Sequence, residues 1–115
     1  MDQFCLALPI LPGKSDDVRA FMVELEGPRN AQYDASERRI GITKEAWYLA
    51  ALPSGDHLIA YMESGDIQGA LGKFIGSQDE FDLWFKRRVL ETTGLDMHNM
   101  PADVQFPALL SAYAA

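Results

Sequence analysis

The chain has 115 residues, of which 48% are hydrophobic and 23% charged, and its formal net charge is −7 at pH 7. This length and composition predict one globular domain over residues 1–115. Partners that are nucleic acids or anionic membranes bind clustered lysine and arginine, so the acidic balance argues against both classes. A single cysteine, Cys5, excludes an intrachain disulfide.

The N-terminal segment predicts a strand from Phe4 to Ile10, because its side chains alternate between two apolar faces. The same segment does not match a secretory signal peptide. Asp2 replaces the usual basic region, Pro9 interrupts the apolar run, and no small-residue cleavage pattern follows. No segment approaches the length of a membrane span, so we expect a soluble, cytoplasmic protein with no membrane partner.

Two helices are predicted next. Ser15 is a suitable N-cap, and apolar residues at helical spacing predict a helix over 16–26. Gly27 and Pro28 end that helix, and proline at a first helical position predicts a second helix from about Pro28 to Arg38. The second helix has the weaker apolar pattern, with Tyr33 and Ile40 as its main apolar residues.

The segment EAWYLAALPSGDHLIAYMESGD predicts a hairpin, with strands over 45–52 and 57–63 around a Pro-Ser-Gly-Asp turn. A four-residue loop would place Leu52 opposite His57 and Tyr48 opposite Tyr61. Two further helices follow, one after Asp66 and one between Asp79 and Gly94. Residues 107–113 are predicted to form a last short strand or a docked extended segment. The order β-α-β-β-α-β is that of an α+β, ferredoxin-like domain.

The stretch HLIAYMESGDIQGALGKFIGSQDEFDLWFKRRVLETTGLD resembles a family of small, uncharacterised bacterial proteins. The resemblance extends from about Phe4 to Tyr113 and includes EAWYL and PALLSAY. It implies a ferredoxin-like fold of the dimeric α+β barrel superfamily, with an antiparallel sheet and helices on one face. In that superfamily two sheets pack across a twofold axis, and its members include cofactor-free monooxygenases, haem-degrading enzymes and muconolactone isomerases. The resemblance implies an architecture and assigns no catalytic residue.

Motifs for metal, nucleotide or serine chemistry are incomplete. Two isolated histidines, His57 and His98, do not supply the three or four ligands of a zinc or iron site, so no metal and no cofactor are predicted. The sequence GALGKF fails the spacing of a phosphate-binding loop and has Phe74 where that loop needs serine or threonine. Ser54, Asp56 and His57 include the three residue types of a serine hydrolase triad, but Ser54 and Asp56 are ordinary turn residues, so no triad is predicted.

The hairpin has two apolar faces. One is predicted to lie under the helices and carries Trp47, Leu49, Ala51, Leu58, Ala60 and Met62. The other, here called the outer face, carries Ala46, Tyr48, Ala50, Leu52, His57, Ile59, Tyr61 and Glu63. A monomer would not leave so much apolar area in water, so this face is predicted to meet a second copy, a ligand, or both. A dimer interface alone is favoured over a pocket.

The candidate ligand-binding residues are Tyr48, Tyr61, Glu63 and His57 on that face, with Arg39 as a nearby positive charge. Glu45 and Glu63 are interpreted as strand-end charges held in water, or, in an enzyme, as proton-transfer carboxylates.

The leading hypothesis is a small homodimeric α+β barrel protein that binds a small apolar or aromatic ligand at the sheet face. The alternative is a cofactor-independent monooxygenase or isomerase acting on an aromatic or enolisable molecule, in which a carboxylate or His57 moves a proton. A third hypothesis is a subunit whose acidic surface binds a protein partner. Whether the protein is an enzyme stays open at this stage.

Overall fold

The structure, a computed structural model, describes residues 1–100 and 106–115. Within these residues the chain forms three strands and four helices in the order βααββαα. Their bounds are β1 Asp2–Pro9, α1 Ser15–Glu26, α2 Asn30–Ile40, β2 Ile42–Leu52, β3 Gly55–Ser64, α3 Ile67–Gly76 and α4 Glu80–Thr93. The prediction of an α+β fold with an antiparallel sheet and a second helix before the hairpin is confirmed.

The sheet is antiparallel with the strand order β1-β3-β2. Leu52 pairs with Gly55, so the hairpin loop is two residues long and the predicted four-residue loop is wrong. Gly55 begins β3 with a φ of +124°, a backbone conformation that glycine adopts readily. This conformation allows strand pairing to begin directly after Ser54. Tyr48 therefore lies opposite Ile59 rather than Tyr61.

The error in register is two residues, an even number, so it leaves every side chain on its predicted face. Leu58, Ala60 and Met62 are buried beneath the helices, as predicted. Trp47 and Leu49 pack against the same core. The exception is Ala51, which is exposed near the hairpin end. The core residues from the helices include Phe21, Leu25, Phe74, Phe81, Trp84 and Phe85.

The predicted last strand is not formed. Residues 106–115 contain no helix or strand, and Leu110 and Tyr113 are 93% and 91% exposed. Within this segment Phe106 packs on the sheet, where its ring contacts the ring of Phe4 edge-on at 5.1 Å between centroids. The segment makes no ladder with β1 in the single chain, so the sheet has three strands and the six-element order is incomplete.

A buried aspartate joins α4 to α2. Asp82 has no solvent exposure and accepts hydrogen bonds from Ser36 Oγ, from Ser77 Oγ at 2.6 Å and from Arg39 Nη2 at 2.6 Å. Burial alone would raise the pKa of Asp82, but the hydrogen bonds from Ser36, Ser77 and Arg39 outweigh it and lower that pKa. The carboxylate is therefore a satisfied structural anion that fixes the position of α2.

A buried lysine closes the end of α3. Lys86 Nζ donates to the carbonyls of Phe74 and Ile75 at 3.0 Å each and of Ser77 at 2.9 Å. The last carbonyls of a helix have no partner within the helix, so a cation placed there both satisfies them and complements the helix dipole. Together Asp82 and Lys86 hold α2, α3 and α4 in one layer against the sheet.

Candidate functional site

The outer face of the sheet is uncovered in the part of the chain that the structure describes, because the helices pack on the other side. Tyr48 is 61% and Leu52 46% exposed at this face. Side chains of β1 extend the face, since Cys5 pairs with Tyr61 and Ala7 with Ile59. The face is open and apolar, as the sequence predicts.

The predicted residues on this face fall into two groups. Tyr61 donates its hydroxyl to Glu63 Oε2 at 2.6 Å, and that hydrogen bond raises the pKa of Tyr61. Tyr48 lies diagonally across the ladder from Tyr61. His57 lies at the hairpin end, where its Nδ1–H donates to the carbonyl of Gly55 at 3.0 Å. Six residues of strand, about 20 Å, separate His57 from Glu63, so the sheet does not bring them together.

Arg39 is not on the outer face. It belongs to α2, on the helix side of the sheet, and pairs with Asp82 at 2.6 Å and with Asp79 at 3.6 Å. The hydrogen bond to Asp82 raises the pKa of Arg39, although burial opposes the rise. Its charge is thus matched by structural carboxylates rather than directed at the tyrosines.

A second cluster, which the sequence analysis missed, lies on the helix side of β2. Glu45 shares a face with Trp47 and accepts a hydrogen bond from Trp47 Nε1 at 2.9 Å. The hydroxyl of Tyr33, from α2, donates to the same carboxylate oxygen, Glu45 Oε2. The interpretation of Glu45 as a charge held in water is wrong, because the strand turns it into the interior.

Strand alternation turns Glu45 inward, because it lies two residues before Trp47 and opposite Met62. A β-bulge begins the same strand: Ile42 pairs with Ser64 and Lys44 with Glu63, so Thr43 is the extra residue. Thr43 Oγ1 donates to the carbonyl of Glu63 at 3.1 Å. Because of the bulge, Ile42 is buried while Lys44, two residues later, lies on the exposed outer face.

Glu37 completes this cluster from α2. It lies one helical turn after Tyr33 and three residues before Ile40, on the side of the helix that meets the sheet. Its Oε2 is buried and receives no hydrogen bond from an N–H or hydroxyl donor among residues 1–100 and 106–115. The side chain is instead hydrogen-bonded to the carboxyl group of Glu45, and two carboxyl groups share such a bond when one of them holds a proton.

The two carboxyl groups, here called the glutamate pair, perturb each other. Burial first, then the charge of Glu45, raises the pKa of Glu37 to about 9. Burial also raises the pKa of Glu45, while hydrogen bonds from Tyr33 and Trp47 oppose that rise. The pair titrates as a unit. Because both pKa values are raised, the pair retains a proton near neutral pH, and one carboxyl group can then act as an acid while the other acts as a base.

The glutamate pair forms a wall between two spaces. Inside is an apolar cavity of about 60 Å³ between the sheet and the helices, whose lining includes Leu6, Trp47, Met62, Phe74 and Phe85. Outside is a groove of about 680 Å³ between α2 and the start of β2, lined by Asn30, Tyr33, Asp34, Arg38, Thr43 and Lys44. Glu37 and Glu45 line both spaces. A molecule in the groove therefore contacts the same two carboxyl groups that border the apolar cavity.

The sequence contains a signal for this cluster. Tyr33, Glu37 and Ile40 have the spacing of one helical face, and Glu45 stands two residues before Trp47 on a strand. Both patterns place a carboxylate among inward-facing residues. The usual preference of glutamate for water outweighed the periodicity in the prediction.

Other kinds of site find no support in the described residues. Among residues 1–100 and 106–115, no group of three or more His, Cys, Asp or Glu side chains could hold a metal ion. None of the described helices has the length and apolar character to cross a membrane. Comparisons with protein-family models, with curated proteins and with solved structures find no match to this chain.

Proposed function

We propose that this protein is a small-molecule-binding domain whose site is the glutamate pair with its adjoining groove and cavity. One observation carries the proposal: two buried carboxyl groups that are hydrogen-bonded to each other, those of Glu37 and Glu45, line both an open groove and an apolar cavity. Ligand sites are concave and mostly apolar, with a few convergent polar groups. Carboxyl groups with strongly shifted pKa values in a cleft are more frequent at such sites than on ordinary surface.

The two spaces define the shape of the ligand. A cavity of about 60 Å³ is less than half the roughly 150 Å³ apolar cavity that accepts benzene, so the inner group is a short alkyl chain rather than an aromatic ring. The polar end donates hydrogen bonds to the glutamate pair. The remainder of the ligand lies in the groove, where Asn30 and Thr43 offer polar contacts.

The test is a screen of small amines, amides and alcohols by ¹H–¹⁵N NMR, observing the indole N–H of Trp47. That proton is donated to Glu45, so a ligand at the pair must shift its signal. We expect Glu37→Gln and Glu45→Gln to weaken the response and Glu63→Gln, on the outer face, to leave it unchanged. Ligands that move only outer-face signals would contradict this site.

We also propose that two copies pack outer face to outer face. The central part of that face, formed by Cys5, Ala7, Ala46, Tyr48, Ala50, Ile59 and Tyr61, carries no formal charge and is uncovered in the single chain. Such an area is typical of an interface. The strand order β1-β3-β2 supports a ferredoxin-like, dimeric α+β barrel domain, in which a fourth strand would lie beside β1. An apolar or aromatic molecule held between Tyr48 and Tyr61 of the two copies is the alternative position for the ligand.

The isomerase alternative is favoured by one observation, the proton that the glutamate pair retains near neutral pH. A pair that shares one proton supplies an acid and a base within one site, which proton transfer on an enolisable substrate requires. In that case Glu45 removes the proton and Glu37 returns one. Exchange of a bound carbonyl compound's α-hydrogens with deuterium, observed by NMR and lost in Glu45→Gln, would support catalysis over binding alone.

A further inference from the structure

We propose that the polar end of the ligand is a small organic cation, a primary ammonium, which takes the place of the proton between Glu37 and Glu45. This inference rests on the proposed function, because it specifies the chemistry of the molecule that occupies the same site. It names the donor from which the buried Oε2 of Glu37 would accept a hydrogen bond.

The hydrogen-bond geometry leaves room for a donor on one side of the pair. Glu45 Oε2 is already occupied by the Tyr33 hydroxyl and by Trp47 Nε1. Oε2 of Glu37 is buried at the wall of the cavity and receives no N–H or hydroxyl donor from the described residues, so the proton that joins the pair is the group that a ligand donor would replace. An ammonium group has three donors, so one group can serve both carboxylates at once.

The neighbouring basic side chains do not pair with the two glutamates. Arg38 pairs with Asp34 at 3.0 Å, and Arg39 pairs with Asp82 at 2.6 Å. Lys44 lines the groove from the outer side of β2, opposite Glu63. In the described part of the chain no salt bridge reaches Glu37 or Glu45, and a negative pair without a protein cation is complementary to a cationic ligand.

Aromatic rings line the same cavity as the glutamate pair, and they include Trp47, Phe81 and Phe85. Tyr33 stacks with Phe81 at 6.2 Å between ring centroids, and Trp47 lies 5.7 Å from Phe85. Aromatic rings attract a cation that has been removed from water, so this lining is compatible with an ammonium group.

Binding must release a proton. The titratable groups that face Glu37 are Tyr33 on its own helix, Glu45 on β2 and Asp82 on α4. Tyr33 stays neutral, because burial and then the charge of Glu45 raise its pKa. The negative charges of Glu45 and Asp82 favour the proton on Glu37 until a bound cation offsets them, at which point Glu37 ionises.

The experiment uses n-propylammonium chloride, with propanamide as a neutral donor of similar size and propionate as the opposite charge. Isothermal titration calorimetry is run in phosphate and in HEPES, whose ionisation enthalpies differ and neither of which is a primary ammonium. We expect propylammonium to bind at least about tenfold more tightly than propanamide and to release about one proton at pH 7.5. Its affinity should rise by up to roughly tenfold per pH unit between pH 7 and 8.5, because higher pH ionises Glu37.

Glu37→Gln should remove both the tight binding and the proton release, and Glu63→Gln should keep both. Glu45→Gln serves as a second variant, with folding of all three checked by thermal unfolding. Equal binding of propanamide without proton release would overturn the cation inference and leave the proposed site standing. If Glu37→Gln and Glu63→Gln bind propylammonium equally well, the cation is attracted to the acidic surface in general, and the inference is overturned. If no probe binds and the Trp47 indole signal stays unmoved, the proposed function fails as well.

Discussion

Trp47 donates its indole N–H to the carboxylate of Glu45 at 2.9 Å, and both residues project from the helix-covered face of β2. A glutamate is thereby held inside the apolar layer by a donor from its own strand. The hydroxyl of Tyr33 on α2 adds a second donor to the same oxygen. The helix and the strand are therefore joined through the carboxyl group of Glu45.

Removing the hydroxyl of Tyr33 should destabilise the fold. Tyr33→Phe deletes one donor to a buried carboxylate, and a hydrogen bond to a charged group is worth about 2 kcal/mol. The matched control is Tyr48→Phe, which deletes the hydroxyl of an exposed tyrosine on the outer face. Urea unfolding followed by circular dichroism measures both. Equal free energies of unfolding for the two variants would contradict the structural role of the Tyr33–Glu45 bond.

Glu37→Gln should stabilise the protein at neutral and higher pH. The pKa of Glu37 is about 9 in the folded protein against 4.5 as its ordinary value, so between these values the folded state binds more protons than the unfolded state. The free energy of unfolding therefore falls as the pH rises through this window. Glutamine needs no proton, so the variant should lose this part of the slope.

The measurement is the melting temperature of Glu37→Gln and of the Glu63→Gln control between pH 5 and pH 9. We expect the advantage of Glu37→Gln over wild type to grow with pH and to reach at least about 4 °C, which corresponds to about 1 kcal/mol for a domain of this size. Parallel curves for wild type and Glu37→Gln would show that Glu37 has an ordinary pKa.

Lys86→Met should be strongly destabilising, although methionine is similar in size to lysine. It removes all three donors from the carbonyls of Phe74, Ile75 and Ser77 at the end of α3. Leaving buried carbonyls unpaired costs about 1–3 kcal/mol each, so we expect a loss of about 2–4 kcal/mol after partial rearrangement. Lys73→Met, on the exposed side of α3, should change the free energy of unfolding by less than about 0.5 kcal/mol. Similar losses for both variants would refute the capping role.

Ile59→Asp should separate the proposed dimer into folded monomers. The substitution places a charge at the centre of the apolar outer face, which costs little in water and much in an interface. Analytical ultracentrifugation of wild type and variant gives the mass, and Arg87→Asp on exposed α4 is the control. Wild-type protein that sediments as a monomer at about 100 µM would rule out outer-face pairing of useful strength.

Periodicity carried most of the fold prediction. Alternation in the hairpin assigned Leu58, Ala60 and Met62 to the helix-covered face, and an error of two residues in register did not disturb that assignment. The loop length depends on whether Gly55 adopts a positive φ, and a Pro-Ser-Gly-Asp segment permits both a two-residue and a four-residue loop. Residues 107–113 are apolar enough for a strand, yet a strand also requires a neighbour, which alternation alone does not identify.

The site was harder to predict, because it depends on long-range contacts. Tyr33 and Glu45 come from different elements, and the hydrogen bond between them exists only once α2 packs on β2. The bulge at Thr43, which puts Ile42 and Lys44 on opposite faces of the strand, has no glycine to mark it in the sequence. Tyr48, Tyr61 and Glu63 were placed correctly on one face, since a single hairpin determines their positions.

Retention of a proton by Glu37 in the folded protein at neutral pH, and its exchange for a ligand, can be observed at the carboxyl group itself. The measurement is ¹³C NMR of side-chain carboxyl groups in glutamate-labelled protein, titrated from pH 4 to pH 10 and assigned with Glu37→Gln. We expect a Glu37 midpoint near 9 that falls when propylammonium is added. A midpoint near the ordinary value of 4.5, unchanged by propylammonium, would contradict it.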